Sequence, residues 1–270
     1  MTPRHFVVGI FLFIGVAACT SSYAHAQRHS IRVAAASDLQ GVMPEIVKAF
    51  EDQTGEHVDV AYGSSGNFFA QIQNGAPFDL FFSADDEFPL KLIQSGRAKP
   101  RSAVVYGVGG LVLWMPANSK CDPQAEKWNC LLKPEVSKLA IANPAHAPYG
   151  RAAIAALQSA HIYEQVRAKF VFGENIAQAA QFAQSGSAQA GILACAQMRA
   201  TAMRDGKRWV IPRDSYPTIR QTVVVLKAAQ DKSVAENFVK FVTEGPGRQL
   251  LEQSGFQPPP PSNEPKAGHK

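Results

Sequence analysis

From Ile31 onward the chain alternates short β-rich runs with helical patterns of about 10–15 residues, and this alternation constrains the fold more than any other feature. Residues 31–36 read as a buried strand, and Leu39, Val42, Met43, Ile46, Val47 and Phe50 then recur at helical spacing. Residues 57–62 form a second candidate strand, Phe68, Phe69 and Ile72 a short helix, 79–83 a third strand, and Phe88, Leu92 and Ile93 another helix. Units of this kind wrap helices around mostly parallel sheets, which is the α/β class.

A second set opens with the apolar segment 104–115, which contains Gly107, Gly109 and Gly110 and could cross between two lobes. It continues with a strand at 138–142, a helix at 151–160, a strand near 170–172, a helix at 176–184 and a strand at 190–195. After turn-rich residues 212–217, the run 221–226 reads as a strand again, and two helices follow at 233–243 and 247–254. That returning strand predicts re-entry into the first lobe. The expected organisation is therefore lobe I from 27–104 plus 224–257 and lobe II from 105–223, with a ligand cleft between them that closes. A chain of 270 residues that is 46% hydrophobic can fill two such cores.

The N-terminus sets the compartment. Arg4 and His5 precede the apolar run 6–18, and Ala24-His25-Ala26 offers a small-x-small cleavage pattern before Gln27, so 1–26 reads as a signal peptide too short to span a bilayer. Val16-Ala17-Ala18-Cys19 also resembles a lipoprotein cleavage box, which would leave an anchor at Cys19; the soluble product is the favoured reading. The Pro-rich tail 258–270 is expected to be disordered. In an oxidising compartment Cys121 and Cys130 could close a small disulfide, while Cys195 in its apolar run reads as a core residue. The seven His stand at no ligand spacing, so no directly ligated metal is expected.

Lys and Arg number 27 against 22 Asp and Glu, for a net charge of +5. No basic run is dense enough for nucleic acid, and a diffuse positive field favours small anions. Enzyme signatures are missing: Gly63-Ser64-Ser65-Gly66 has the wrong spacing for a nucleophile elbow, and there is no P-loop, dinucleotide fingerprint or triad His. No catalytic residue is assigned; an exported serine hydrolase using Ser65 stands as the rival outside the binding class. The six Tyr show no pairing with carboxylates of the kind a ferric-iron binder needs.

Several predicted strands end in small or hydroxyl residues where a helix begins: Ala36-Ser37-Asp38, Gly63-Ser64-Ser65-Gly66-Asn67, Asn143-Pro144 through Pro148-Tyr149-Gly150, and Gly173-Glu174-Asn175-Ile176. A helix N-terminus leaves free N–H donors and carries about half a positive charge, so several aimed at one cleft make an anion site without Lys or Arg. Taken singly, Ser37 and Ser65 read equally well as helix caps.

Val33-Ala34-Ala35-Ala36-Ser37-Asp38-Leu39 resembles the opening of the periplasmic molybdate-binding proteins of ABC transporters. Tyr62-Gly63-Ser64-Ser65-Gly66-Asn67 and the stretch from Gln71 to Asp85 are similar to the most recognisable block of that family. Asn143-Pro144-Ala145-His146-Ala147-Pro148-Tyr149-Gly150-Arg151 and Gly173-Glu174-Asn175-Ile176-Ala177 resemble two further motifs, and the match runs in order from about Ile31 to Phe256. The resemblance implies a two-lobed periplasmic-binding-protein fold, a monomer that takes molybdate or tungstate as ligand, needs no cofactor, and hands the ion to a membrane ABC permease. Phosphate or sulfate is the alternative ligand.

Carried over by position, the resemblance implies hydroxyl and backbone N–H donors from Ser37 and Ser65, and backbone N–H donors from Tyr149 and Ile176. Asp38 matches a position lining the family's site, where other members carry Asn. A Tyr hydroxyl that some members supply falls here on Ala194, which has none. A carboxylate turned into the cleft would repel a dianion, so Asp38 is expected to offer its N–H and turn its side chain away. Turned inwards, it would instead suit a protonated oxyanion such as hydrogen phosphate.

Overall fold

A computed structural model describes residues 30–259. The expected signal segment 1–26 with Cys19, and the tail beyond Pro259, lie outside the described residues. In chain order the first elements are β1 (Ser30–Ala36), a 3-10 turn (Ser37–Gly41), α1 (Met43–Thr54), β2 (His57–Gly63), α2 (Ser65–Gln73), β3 (Leu80–Ser83), α3 (Glu87–Gln94) and β4 (Val104–Gly109). Then follow β5 (Leu111–Met115), α4 (Pro123–Glu126), α5 (Asn129–Leu132), β6 (Leu139–Ala142), α6 (Pro148–Ser159), α7 (Tyr163–Val166), β7 (Phe170–Gly173), α8 (Ile176–Gln184) and β8 (Ala190–Ala194). The chain ends with α9 (Thr201–Arg204), β9 (Lys207–Val210), β10 (Ile219–Val225), α10 (Lys232–Thr243) and α11 (Pro246–Gln253).

These strands make two five-stranded sheets, ordered β2-β1-β3-β10-β4 and β7-β6-β8-β5-β9. Both are mixed. In the first, β10 runs antiparallel to β3 and β4; in the second, β5 runs antiparallel to β8 and β9, while the βα strands pair in parallel. The reversed strand in each sheet is the one that arrives from the other half of the molecule, outside the βα rhythm that imposes parallel pairing.

The expected crossing segment 104–115 is two strands, one in each sheet, with Gly110 between them. Strand membership thus places β4 and the whole of β10 with the first sheet, where the sequence predicts 105–223 as one lobe. The two crossings are tied together: Leu111 N donates to the Tyr216 hydroxyl at 3.0 Å, and Arg213 Nη1 donates to the Gly109 carbonyl at 3.0 Å. The edge strand β9, which sequence spacing does not reveal, reads Lys207-Arg208-Trp209-Val210 with only Trp209 buried.

Strands β1, β3, β6 and β8 are apolar runs because helices cover both faces. Helix α1 turns Met43, Ile46 and Phe50 inwards and stops at Gly55, whose φ of 73° suits a residue without a side chain. Phe50, Phe82, Phe238 and Phe241 pack edge to face at the heart of the first half, with centroids 5.0–6.0 Å apart. In the second half, alanines on α6 and α8 let the helices lie close on the sheet. Cys121 and Cys130 are joined by a disulfide. Cys195 is free, and burial pushes its thiol up, which suits packing better than nucleophilic work.

Candidate functional site

Four helical starts converge where the two halves meet. The 3-10 turn at Ser37 follows β1 and α2 follows β2 on one side; α6 follows β6 and α8 follows β7 on the other. Between them lies a small pocket, lined by Ser37, Asp38, Ser64, Ser65, Tyr149, Asn175 and Ile176 among others. All five residues expected at the site are brought together there, and no Lys or Arg lines it. A larger hollow beside the disulfide is mainly apolar and shows no such convergence.

Hydrogen-bond accounting shows which donors remain for a ligand. On α8, Asn175 Oδ1 accepts from Ala177 N and Gln178 N, leaving the Ile176 N–H. On α2, Ser64 Oγ accepts from Asn67 N and the His146 carbonyl accepts from Gly66 N, leaving the Ser65 N–H. On α6, Pro148 has no N–H, and the Ala147 carbonyl accepts from Gly150 and Arg151, leaving the Tyr149 N–H. The N–H groups of Ser37, Ser65, Tyr149 and Ile176 have no acceptor among the described residues. They sit at helix starts whose dipoles favour negative charge.

Both serine oxygens already accept a backbone N–H. Ser65 Oγ takes that of Ala84 at 2.9 Å, and Ser37 Oγ takes that of Ala177 at 3.4 Å. Each hydroxyl proton is therefore free to be given to an acceptor in the pocket.

The halves are closed on one another. Gly66 N donates to the His146 carbonyl at 2.8 Å, Asn67 Nδ2 donates to Glu174 Oε1 at 2.8 Å, and Arg151 pairs with Asp85. A side chain at Gly66 would place Cβ 2.7 Å from the His146 oxygen, so this approach requires glycine.

A closed two-sheet molecule with neutral donors in its cleft has clear relatives. Residues 31–257 match the family model described as bacterial extracellular solute-binding protein. The chain belongs to that family. The molybdate-binding protein ModA of Azotobacter vinelandii is 36% identical to this solute-binding protein over 248 residues, covering 92% of this chain and 95% of the relative. ModA of Rhodobacter capsulatus is 35% identical over 223 residues, covering 83% and 86%. The solved structure of the Azotobacter vinelandii periplasmic molybdate-binding protein superposes with a TM-score of 0.79 at 33% identity, covering 85% of this chain and all of that one.

Beneath the pocket of this solute-binding protein runs a buried polar chain that sequence motifs do not reveal. Tyr106 Oη donates to Gln221 Oε1 at 2.8 Å. Gln221 Nε2 and Tyr149 Oη each donate to Asp38 Oδ2 at 2.9 Å. Burial pushes the Asp38 carboxyl up to about 6, against the bonds from Tyr149 and Gln221, and burial likewise holds the Tyr149 and Tyr106 phenols well above their usual range. The Asp38 side chain is buried, with Oδ2 reaching under the pocket to the other half's Tyr149. A buried carboxyl needs donors, and these two residues provide them. The one available signal was Gln221-Thr222 leading into the apolar run Val223-Val224-Val225, since a buried polar side chain implies a partner.

Proposed function

We propose that this solute-binding protein captures molybdate, and tungstate with it, and delivers the ion to an ABC permease in the membrane. The lobes are the chain up to Gly109 with the part from Ile219 onward, and the segment between. Ser37 and Ser65 give hydroxyl and N–H donors, Tyr149 and Ile176 give N–H donors, and Asp38 stands at the base of the site. The ion is bound and released unchanged. The protein works as an exported monomer in the periplasm after loss of residues 1–26, with a lipid anchor at Cys19 as the alternative mode of export.

What carries this reading is the set of unpaired N–H groups and free serine protons around one closed pocket that no Lys or Arg lines. Fixed neutral dipoles at the helix starts suit a permanent dianion, because their donors are already in place to receive it. Ser65 is poorly placed as a hydrolase nucleophile: its oxygen accepts the Ala84 N–H, and no His lines the pocket.

One observation favours a second ligand: a buried, ionised Asp38 could accept the proton of hydrogen phosphate. Calorimetric titration of the mature protein with molybdate, tungstate, sulfate and phosphate separates the two. Ser37→Ala and Ser65→Ala should each weaken molybdate binding about 10–100-fold, the worth of a hydrogen bond to a charged group. Phosphate binding without molybdate binding, lost in Asp38→Asn, would overturn the assignment.

A further inference from the structure

We propose that Asp38 meets the bound ion as a neutral carboxylic acid, with its proton on Oδ1, so that each molybdate captured near neutral pH brings one proton into the cleft. This rests on the molybdate reading and deepens it, turning the one acidic residue lining the pocket into one of the donors to the dianion.

The two carboxyl oxygens of Asp38 are not equivalent. Oδ2 faces two donor hydrogens, from Tyr149 Oη and Gln221 Nε2, which fixes it as the acceptor. Oδ1 is buried and has no hydrogen-bond partner among the described residues beyond the nearby backbone N–H groups of Asp38 and Leu39 that act on the carboxyl, and it belongs to a residue that lines the pocket. An ionised Oδ1 beside a dianion would be a buried like-charge contact without compensation. A protonated Oδ1 instead offers an O–H, the same kind of donor as the hydroxyls of Ser37 and Ser65. An Asn at this position would place an N–H there.

The surroundings supply no neutralising charge. Tyr149 faces Asp38 from α6, Tyr106 and Gln221 approach from β4 and β10, and both phenols are kept neutral by burial. The Cys195 thiol acts electrostatically on Tyr149, and the Asp85 carboxylate on Tyr106. Arg213 bonds the Gly109 carbonyl and acts on Cys195 and Tyr216. Burial raises the Asp38 carboxyl to about 6, and a dianion alongside raises it further. Without the ion, a carboxyl at about 6 is mostly ionised at about pH 7.5. The balance is one carboxylate plus one proton from a buffer acid giving one carboxylic acid; no bond of the ion is made or broken.

The test is calorimetry of the mature protein with sodium molybdate at about pH 7.5 in buffers of different ionisation heat, repeated across about pH 6–8.5. The expected result is an enthalpy that varies with the buffer, with a slope approaching one proton taken up per ion. Affinity should fall with rising pH by up to tenfold per unit. Asp38→Asn should still bind molybdate, with a buffer-independent enthalpy and a flat pH profile. Molybdate heat in the parent protein with no proton uptake overturns the proposal and leaves molybdate binding standing. No molybdate heat at any pH overturns both.

Discussion

Arg151 and Asp85 join the two halves of the molecule beside the cleft, Nη2 to Oδ2 at 2.5 Å, with the guanidinium 5.4 Å from the centre of the Phe88 ring. Asp85 is largely buried and is also held by Ser83 Oγ and Phe88 N, so the partner in the other half meets a fixed target. Because the pair exists only when the halves are together, it contributes to closure and leaves the folding of either half untouched. Arg151→Ala should weaken molybdate binding by about 1 kcal/mol, roughly fivefold, and reduce its dependence on salt, as followed by calorimetry at low and high ionic strength. An unchanged affinity and salt profile would show that the pair does not stabilise the closed form.

Gly66 gives a sharper handle on closure. The Cβ of Gly66→Ala would press against the His146 carbonyl, at a point where the two backbones already share a hydrogen bond. At least about tenfold lower affinity is expected, since the bound form must give up a contact worth more than 1 kcal/mol. Small-angle scattering should also show little contraction on adding molybdate. Normal contraction would mean that the closed state differs from the one described.

The disulfide should matter for stability alone. Neither Cys121 nor Cys130 lines the pocket, and the loop they close is short. Replacing both with Ser should lower stability by about 2–3 kcal/mol and the melting temperature by several degrees, with molybdate affinity unchanged.

Asp38 also predicts how the ligand-free protein responds to pH. Its carboxyl in the folded state lies at about 6, above its ordinary value of 3.8, so the fold favours the protonated form. That contribution is fully present below the ordinary value and is lost as pH rises through about 6. Asp38→Asn removes the titration. Its advantage over the parent in thermal unfolding should therefore grow between about pH 4 and 7, to the order of 2 kcal/mol. A difference independent of pH would contradict a buried, titrating Asp38.

Much of the architecture is legible from local pattern, because β1, α1, α8 and α10 each carry their burial in their own periodicity. The ends Ser37, Ser65, Tyr149 and Ile176 could be placed because the chemistry lies in chain geometry at a strand-to-helix junction. What local pattern does not carry is long-range pairing. Gln221 and Asp38 are 183 positions apart, and nothing near either residue announces the other. The reversed course of β5 and β10 likewise depends on which half of the molecule each strand enters from. The four-residue helices α4, α5, α7 and α9 are too short to show a period.

The two serines are anchored differently, and this orders events in time. Ser65 is held by Ala84 of its own half, so its hydroxyl is aimed before any partner arrives. Ser37 is held by Ala177 of the opposite half and gains that restraint only on docking. An incoming guest is thus greeted by a ready-made face and inspected by a second that assembles around it, so discrimination falls at the moment of shutting rather than at first encounter.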